Sequence, residues 1–366
     1  MSLFLHTPYL VESKLVLNAK TFLGALIEES FFMYLNLKKV VHAVVLLCMA
    51  LMFIGQRSAL SQDNAGSLAP SNAPKSIRIV VPFAPGGSND IVGRSMAQQL
   101  TARLKRNVYI ENKPGAGGSM GADLVAHAEP DGANLLLISS TFTMNASIMK
   151  LNYDPVQSFV PIAMMGLGPS VIAVSSTLPL NTIKEFVAYS KKNPGQIYFG
   201  SAGVASFQHF AIELFKFKTG ADITLVHYKG GGPALVDLAA GHVQVALGSL
   251  IQMQNFLRAG KIKLLAVAGP KRVDLIPQVP TLKESGIDLE VNNWWGLLAP
   301  AGIPQSFVDW VHREVNASLS SPDMVKRFAA EGAEAWPMSR VDFEHLLAED
   351  SAKWAQLAKQ TGIKAE

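Results

Sequence analysis

The sequence has few of the residues on which many binding and catalytic sites depend. It contains one cysteine, Cys48, so a disulfide framework and a thiolate zinc site are both excluded. Charged residues make up only 16% of the chain, the net charge is +4, and no run of lysine or arginine exceeds two residues. A nucleic-acid-binding surface needs clustered positive charge, so no nucleic-acid partner is expected.

Motifs of common catalytic sites are also missing. There is no G-x-x-x-x-G-K-[ST] phosphate loop and no G-x-S-x-G nucleophile elbow. The glycine-rich segment 115–121 lacks dinucleotide spacing, because Met120 stands at the position of the last glycine. His209, His227 and His242 have neither metal-ligand spacing nor a neighbour that completes a nucleophile–base pair. We therefore expect no catalytic residue, no metal and no cofactor.

The composition is that of a globular chain with many turns. Hydrophobic residues make up 49% of the 366 residues, and there are 29 glycines and 20 prolines. Such a chain is neither disordered nor fibrous. Its length is above that at which one hydrophobic core usually divides into two.

An apolar segment near the N-terminus predicts export. Val40–Ile54 is uncharged, follows Lys38–Lys39, and at 15 residues is shorter than the roughly 20 that a membrane span needs. Small residues at Ala59 and Ser61 complete a signal-peptide pattern, with cleavage near Ser61. A membrane anchor is the alternative. Because a signal peptide normally starts with a short basic region, translation is expected to begin at Met33.

The N-terminal pattern divides the chain into a targeting part and a mature part. Residues 1–61 form the predicted signal-peptide region, and the polar segment 62–74 a flexible leader. Lipoprotein processing at Cys48 is rejected, because Leu47 is too bulky for the preceding position. The mature protein is expected to be exported to the periplasm and to be soluble there.

Short apolar runs alternate with helical patterns over the rest of the chain. The runs are too brief for buried helices, which favours parallel strands joined by crossover helices and so an α/β fold with two sheets. A capping box of Thr182 and Glu185 begins one helix, Thr182–Lys191, and another helix spans Pro233–Ala240. The predicted strands are Ile77–Phe83, Val108–Glu111, Leu135–Ser139, Val171–Val174, Ile197–Gly200, Ile223–Tyr228, Val243–Leu247 and Leu264–Val267.

Four connections after predicted strands are rich in glycine and small hydroxyl residues. We call them the first loop (84–90), the second loop (114–119), the third loop (200–206) and the fourth loop (229–233). Ligands of open α/β sheets bind where such loops converge, and a helix N-terminus suits an anion. The alternative is that the glycines only form tight turns and allow close packing of helix against sheet. Asp90 would repel an anion, so its expected role is to cap the helix that follows, with the anchoring of a bridging water as a second role.

The same loops carry a resemblance to a known family. Eight segments in chain order resemble the Bug (TctC-like) family, the extracytoplasmic receptors of tripartite tricarboxylate transporters. The segments are PFAPGGSND (82–90), ENKPGAGG (111–118), PDG (130–132), GSAGVASFQH (200–209), YKGGGPAL (228–235), AGHVQVAL (240–247), VPTLKESG (279–286) and WWGLLAPAGIP (294–304).

The resemblance implies a fold like that of type II periplasmic binding proteins, with two α/β lobes and a ligand cleft between them. The first lobe would comprise 75–168 and 275–366, and the second 169–274. It implies a monomeric receptor that binds a small carboxylate and delivers it to a large and a small membrane permease subunit. Two other functions stay open: a ligand-binding sensor for a membrane kinase, and an exported α/β enzyme.

The resemblance also implies which residues bind the carboxylate, through backbone N–H groups and hydroxyls without an arginine. The expected ligand-binding residues are Phe83, Ala84, Gly87, Ser88, Asp90, Ser139, Ser140, Thr141, Ser201, Ala202, Ser206, His209, Tyr228 and Lys229. The sequence departs from the family pattern at Ala205, where glycine is usual, and near Gln244 and Gly248, where acidic residues are usual.

Overall fold

The computed structural model of the protein describes residues 69–365. The predicted signal peptide, the start at Met33 and the cleavage site near Ser61 lie outside these residues. Of the predicted leader, residues 69–74 are described, and there Ala69 and Ala73 pack against the hydrophobic core.

The described residues form eleven strands in two mixed sheets. The first sheet has the strand order β11-β4-β10-β3-β1-β2 and the second has the order β7-β6-β8-β5-β9. The strands are β1 Ser76–Val81, β2 Asn107–Asn112, β3 Asn134–Ser139, β4 Phe159–Gly168, β5 Ser170–Ser175, β6 Tyr198–Ser201, β7 Thr224–His227, β8 Val245–Ser249, β9 Ile262–Val267, β10 Asn293–Pro300 and β11 Glu334–Ala335.

Each sheet organises one lobe, and the helices pack around the sheets. A 3₁₀ turn spans Ala116–Gly118. The helices are α1 Ser88–Leu104, α2 Ser119–Ala126, α3 Thr141–Ile148, α4 Ile183–Lys192, α5 Phe207–Thr219, α6 Gly231–Ala240, α7 Leu250–Arg258, α8 Gln305–Leu319, α9 Pro322–Ala330 and α10 Arg340–Thr361. The predicted Thr182/Glu185 capping box is confirmed at the start of α4.

The prediction that the strands are parallel is wrong for β5, and β10, which was not predicted, is antiparallel as well. β5 runs antiparallel to both β8 and β9, and β10 runs antiparallel to both β3 and β4. The parallel strands of each lobe end at the cleft. β5 and β10 are the strands by which the chain enters a lobe from the other one, across Pro169 and across 268–292. Because β5 and β10 begin at the cleft, they run away from it, in the direction opposite to that of the parallel strands.

The C-terminal helix α10 contacts both lobes. Near its start, the buried Phe343 packs edge-on against Trp294 of the first sheet, with ring centroids 6.2 Å apart. Three turns later, the buried Trp354 packs against Phe210 of the second lobe, at 5.8 Å. The helix therefore belongs to the cores of both lobes.

Two negative findings apply to the described range. None of the helices within 69–365 is both long and apolar enough to span a membrane. In that same part of the chain, no three His, Cys, Asp or Glu side chains lie close enough together to hold a metal ion.

Candidate ligand-binding cleft

The four glycine-rich loops face one another in pairs across the cleft. The first loop meets the fourth, and the backbone N–H of Ala84 donates to the carbonyl of Lys229 at 2.9 Å. The second loop meets the third, where Gly117 lies against the carbonyl of Val204. All four loops lie at the carboxyl ends of parallel strands, which is where such folds bind ligands.

The glycines allow the two lobes to touch. A Cβ atom on Gly232 would overlap the carbonyl oxygen of Pro85, and one on Gly117 would overlap that of Val204. At Gly230 a Cβ would lie 2.8 Å from the backbone nitrogen of Ala84. Several of these glycines thus serve an approach between two lobes, a role that neither sequence interpretation considered.

Between the lobes lies a small cavity with a volume of about 20 Å³. It has room for one water molecule, which needs roughly 10–15 Å³. None of the described residues that line it is charged. The lining residues are Phe83, Gly87, Ser88, Asn89, Ser139, Thr141, Ala202, Phe207, Gln208, Gly231, Gln252 and Asn293.

Six of the residues expected from the resemblance line this cavity: Phe83, Gly87, Ser88, Ser139, Thr141 and Ala202. The other eight do not line it. They are Ala84, Asp90, Ser140, Ser201, Ser206, His209, Tyr228 and Lys229.

The backbone N–H groups of the first loop have different partners. The N–H of Ala84 donates to the backbone carbonyl of Lys229 in the fourth loop, and the N–H of Gly86 donates to Asp90 Oδ2 at 3.1 Å. The N–H of Ser88, the first residue of α1, points into the cavity region and donates to the side-chain oxygen of Gln252 at 3.0 Å. Ser88 is therefore the clearest place where the first loop offers an N–H to an acceptor in the cleft.

Asp90 does not cap α1 as expected, because Gly87 is the N-cap residue and Asp90 is the third residue of the helix. Its carboxylate reaches back to the N–H of Gly86, accepts from Asn112 Nδ2 at 3.0 Å and pairs with Arg94 at 2.9 Å. Burial raises the pKa of Asp90, but these three partners outweigh burial and lower it. Asp90 thus fixes the shape of the first loop, and Arg94 neutralises its charge.

A polar chain links the end of β3 to the strand that re-enters the first lobe. Ser140 Oγ lies 2.6 Å from Asn293 Oδ1, and Asn293 Nδ2 donates to Ser249 Oγ of the second lobe at 3.3 Å. Thr141 Oγ1 accepts the backbone N–H of Phe207, also in the second lobe, at 3.0 Å. These hydroxyls connect the lobes, and Thr141 additionally faces the cavity.

In the second lobe, the third loop is held by side chains that the resemblance implied would contact ligand. Ser206 caps α5 by accepting the N–H of His209 at 3.3 Å. His209 Nδ1 accepts the backbone N–H of Ala205 at 3.0 Å, so this nitrogen carries no proton. Ser201 Oγ lies 2.6 Å from His227 Nδ1. In this structure these contacts shape the loop rather than the cavity wall.

Tyr228 and Lys229 lie outside the cavity wall. The hydroxyl of Tyr228 donates to Asp237 of α6 at 2.5 Å. Burial, together with this hydrogen bond, raises the pKa of Tyr228 to about 12. Lys229 has an exposed side chain and contributes its backbone carbonyl to the contact with Ala84.

The departures from the family pattern have visible structural correlates. Ala205 is fully buried and adopts a left-handed backbone conformation with φ +61°, which suits glycine better. Gln244 accepts the backbone N–H of Tyr198 at 2.9 Å and does not line the cavity. At Gly248, a Cβ atom would overlap Gln252 Nε2, so the glycine leaves room for that side chain.

Four polar residues of the cavity wall were absent from the sequence-based set: Asn89, Gln208, Gln252 and Asn293. Gln252 follows β8 directly, on α7, with no glycine-rich loop to mark the connection. The available signal was topological, because β8 is parallel to β6 and must end at the same edge of the sheet. Asn293 begins β10, which was not predicted as a strand.

Comparison with known proteins identifies the family. Residues 92–363 match the family model described as tripartite tricarboxylate transporter family receptor. The chain belongs to this family. The match covers most of the described residues, so the family suggested by the eight segments is confirmed.

Individual relatives agree with this membership. The chain is similar to protein BugT of Bordetella pertussis, with 33% identity over 308 residues that cover 82% of this chain and 94% of BugT. The structure of periplasmic binding protein BugD is 33% identical, covers 81% of this chain and 100% of BugD, and has a TM-score of 0.78. MatC of Rhodopseudomonas palustris with bound malate is 30% identical, with 77% and 98% coverage and a TM-score of 0.74.

These comparisons confirm the two-lobe α/β fold and a solute-binding receptor of the periplasmic class. The family is one of receptors, which favours binding over catalysis.

Proposed function

We propose that the protein is a monomeric periplasmic receptor that captures a small carboxylate in its cleft and delivers it to a membrane transporter with a large and a small permease subunit. The receptor family supports delivery to a transporter over signalling to a membrane kinase. Similarity to MatC, whose structure contains malate, supports a carboxylate ligand.

One observation carries the proposal: the N-terminus of α1 presents the backbone N–H of Ser88 to an acceptor within an uncharged cleft. Helix N-termini bind anions through their free N–H groups and the helix dipole. The hydroxyls of Ser139 and Thr141 lie on the same cavity wall and can donate to the same anion.

The energy of such a site suits capture followed by release. A hydrogen bond to a charged group contributes roughly 1.5–3 kcal/mol. A few of them offset the cost of ordering the ligand and closing the lobes, without a buried ion pair. Since no lysine or arginine of the described chain lines the cavity, release does not require a salt bridge to be broken.

A thermal-shift panel of acetate, malate and citrate tests the proposal on the purified exported protein. A carboxylate that binds the folded state raises the melting temperature with its concentration, whereas an uncharged solute such as glucose should not. The proposal predicts stabilisation by at least one carboxylate of the panel. Stabilisation by glucose alone, or by none of these compounds, would contradict it.

A further inference from the structure

The side chain of Gln252 occupies the position that the proposed function gives to a ligand carboxylate. It belongs to the first turn of α7 in the second lobe, yet its Oε1 accepts the backbone N–H of Ser88 in the first lobe at 3.0 Å. Gln252 is only 5% exposed and lines the cavity. The contact is therefore a buried hydrogen bond across the cleft.

The N-terminus of α1 has no cap from its own loop. Its N-cap residue is Gly87, which has no side chain, and no side-chain capping bond is made there. A helix leaves its first N–H groups without partners, and an acceptor at this point is stabilising. The Gln252 amide oxygen provides that acceptor from the opposite lobe, so the same bond caps a helix and joins the two lobes.

The surrounding backbone is shaped to hold this amide group. A Cβ atom on Gly231 would lie 2.8 Å from Gln252 Oε1, and one on Gly248 would overlap Nε2. Two glycines thus flank the amide on either side. Alanine at either position would push the amide away from Ser88.

Buried contacts at the start of α7 hold the helix in place and so fix the position of the Gln252 side chain. The preceding residue, Ile251, is buried in the hydrophobic core cluster of the first lobe. Leu250 belongs to a core cluster of the second lobe and also lies against Gly332 of the first lobe. The first turn of α7 therefore contacts both lobes, which places Gln252 next to Ser88.

We propose that Gln252 is a built-in competitor of the carboxylate, one that caps α1 while the lobes are together and must leave Ser88 for a ligand to bind there. This inference rests on the proposed function of the same site. A neutral amide oxygen is a weaker acceptor than a carboxylate, whose hydrogen bonds are roughly twice as strong. Only a strong acceptor displaces the amide, so Gln252 raises the selectivity of the cleft for anions over neutral solutes.

Calorimetric titration with malate separates competition from direct binding. Gln252→Ala removes the competitor and should bind malate about tenfold more tightly, equivalent to about 1.4 kcal/mol. Gln252→Glu places a carboxylate permanently on Ser88 and should bind malate at least about tenfold more weakly. Gln254→Ala is the matched control, because Gln254 lies on the same helix, is similarly buried and does not line the cavity. Unchanged or weaker binding by Gln252→Ala, with the control normal, would overturn competition.

Amide hydrogen exchange tests the contact without any ligand. Gln252→Ala should speed exchange of the Ser88 amide, and Gln254→Ala should not. Equal rates in the two variants would show that Gln252 does not cap α1. If the wild-type protein bound none of the panel carboxylates, the proposed function would fail, while the exchange rates would still decide whether the cap exists.

Discussion

At the scale of single residues, neighbouring glycines of the cleft have different structural roles. Gly87 has a φ of −80°, which any residue can adopt, whereas Gly86 has a φ of +84°. Gly86 is therefore required by the turn. At Gly87 a Cβ atom would lie 3.6 Å from the backbone nitrogens of Gly231 and Gly232 in the fourth loop, an ordinary contact distance that leaves little room for a larger side chain.

Substitutions at Gly87 should show how large a side chain the contact with the fourth loop admits. Gly87→Ala places one methyl group at ordinary contact distance, so malate affinity should change little. Gly87→Val adds two more carbons between the loops and should weaken malate binding at least about 30-fold, or about 2 kcal/mol. The measurement is calorimetry on both variants, with circular dichroism to show that the fold is kept.

Lys229→Met completes the comparison. The exposed ammonium supplies only long-range attraction, so its loss should cost less than Gly87→Val. If Lys229→Met abolished binding while Gly87→Val left it intact, the anion would be held by a cation, and the backbone site at Ser88 would be refuted.

At the scale of elements, the sequence predicted those whose local chemistry decides their structure. The capping box of Thr182 and Glu185 begins α4, and β-branched runs mark β1 and β5. The long central strands β4 and β10 were missed. β4 contains Pro161, and β10 is NWWGLLAP, with glycine inside it and proline at its end. Neither shows a strand pattern, and both are stabilised by pairing with strands distant in sequence.

The candidate site likewise contains residues that were predicted before the structure and residues that were not. Ser88 and Ser139, which the family resemblance implied as ligand-binding residues, do line the cavity. Gln252 and Asn293 could not be predicted, because only the packing of one lobe against the other brings them there. The local sequence does not show which strand ends face each other across a cleft.

The attachment of α10 gives a prediction for pH. Asp350 Oδ2 accepts from Thr143 Oγ1 of α3 at 2.7 Å and from Trp294 Nε1 of β10 at 3.2 Å. Burial raises the pKa of Asp350, and these hydrogen bonds offset the effect only in part. The folded state then binds this proton more tightly than the unfolded state. The stability it contributes is present below the unfolded pKa of about 3.9 and is lost as the pH rises through the folded pKa.

Asp350→Asn removes this titration. The free energy of unfolding of the wild type minus that of the variant should therefore fall between pH 4 and pH 7. Urea denaturation at several pH values measures the difference, with Glu349→Gln, an exposed neighbour, as the control for loss of charge. A difference that rises with pH would mean that Asp350 is stabilised as the carboxylate.

At the scale of the whole molecule, the cleft follows from the path of the chain. The chain leaves the first lobe at Pro169 and returns through 268–292, and both entering strands start at the cleft. The parallel strands end there as well, so the loops of both lobes meet along one line. Ligand binding at that line biases the equilibrium between open and closed lobes, provided that the ligand contacts both sides.

Gly232→Ala should hold the lobes apart without harming the fold. Its Cβ atom would overlap the carbonyl of Pro85 only when the lobes are together, and alanine is at least as good as glycine in a helix. Malate binding should weaken at least about tenfold, and the radius of gyration in saturating malate should stay larger than that of the wild type. Small-angle scattering measures the radius.

Val236→Ala, on the exposed side of the same helix, is the matched variant for Gly232→Ala. It should melt and close like the wild type. Were Gly232→Ala to close normally and bind with full affinity, the glycine contact between the first and fourth loops would not limit closure.

The helix that crosses both lobes gives the protein an optical reporter of its own. α10 is fixed to the first lobe through Phe343 and Asp350, yet the indole of Trp354 is buried in the core of the second lobe beside Phe210. Any rotation between the lobes must either slide the helix or change the surroundings of that indole. Its near-ultraviolet emission then registers the angle between the lobes, with no dye attached.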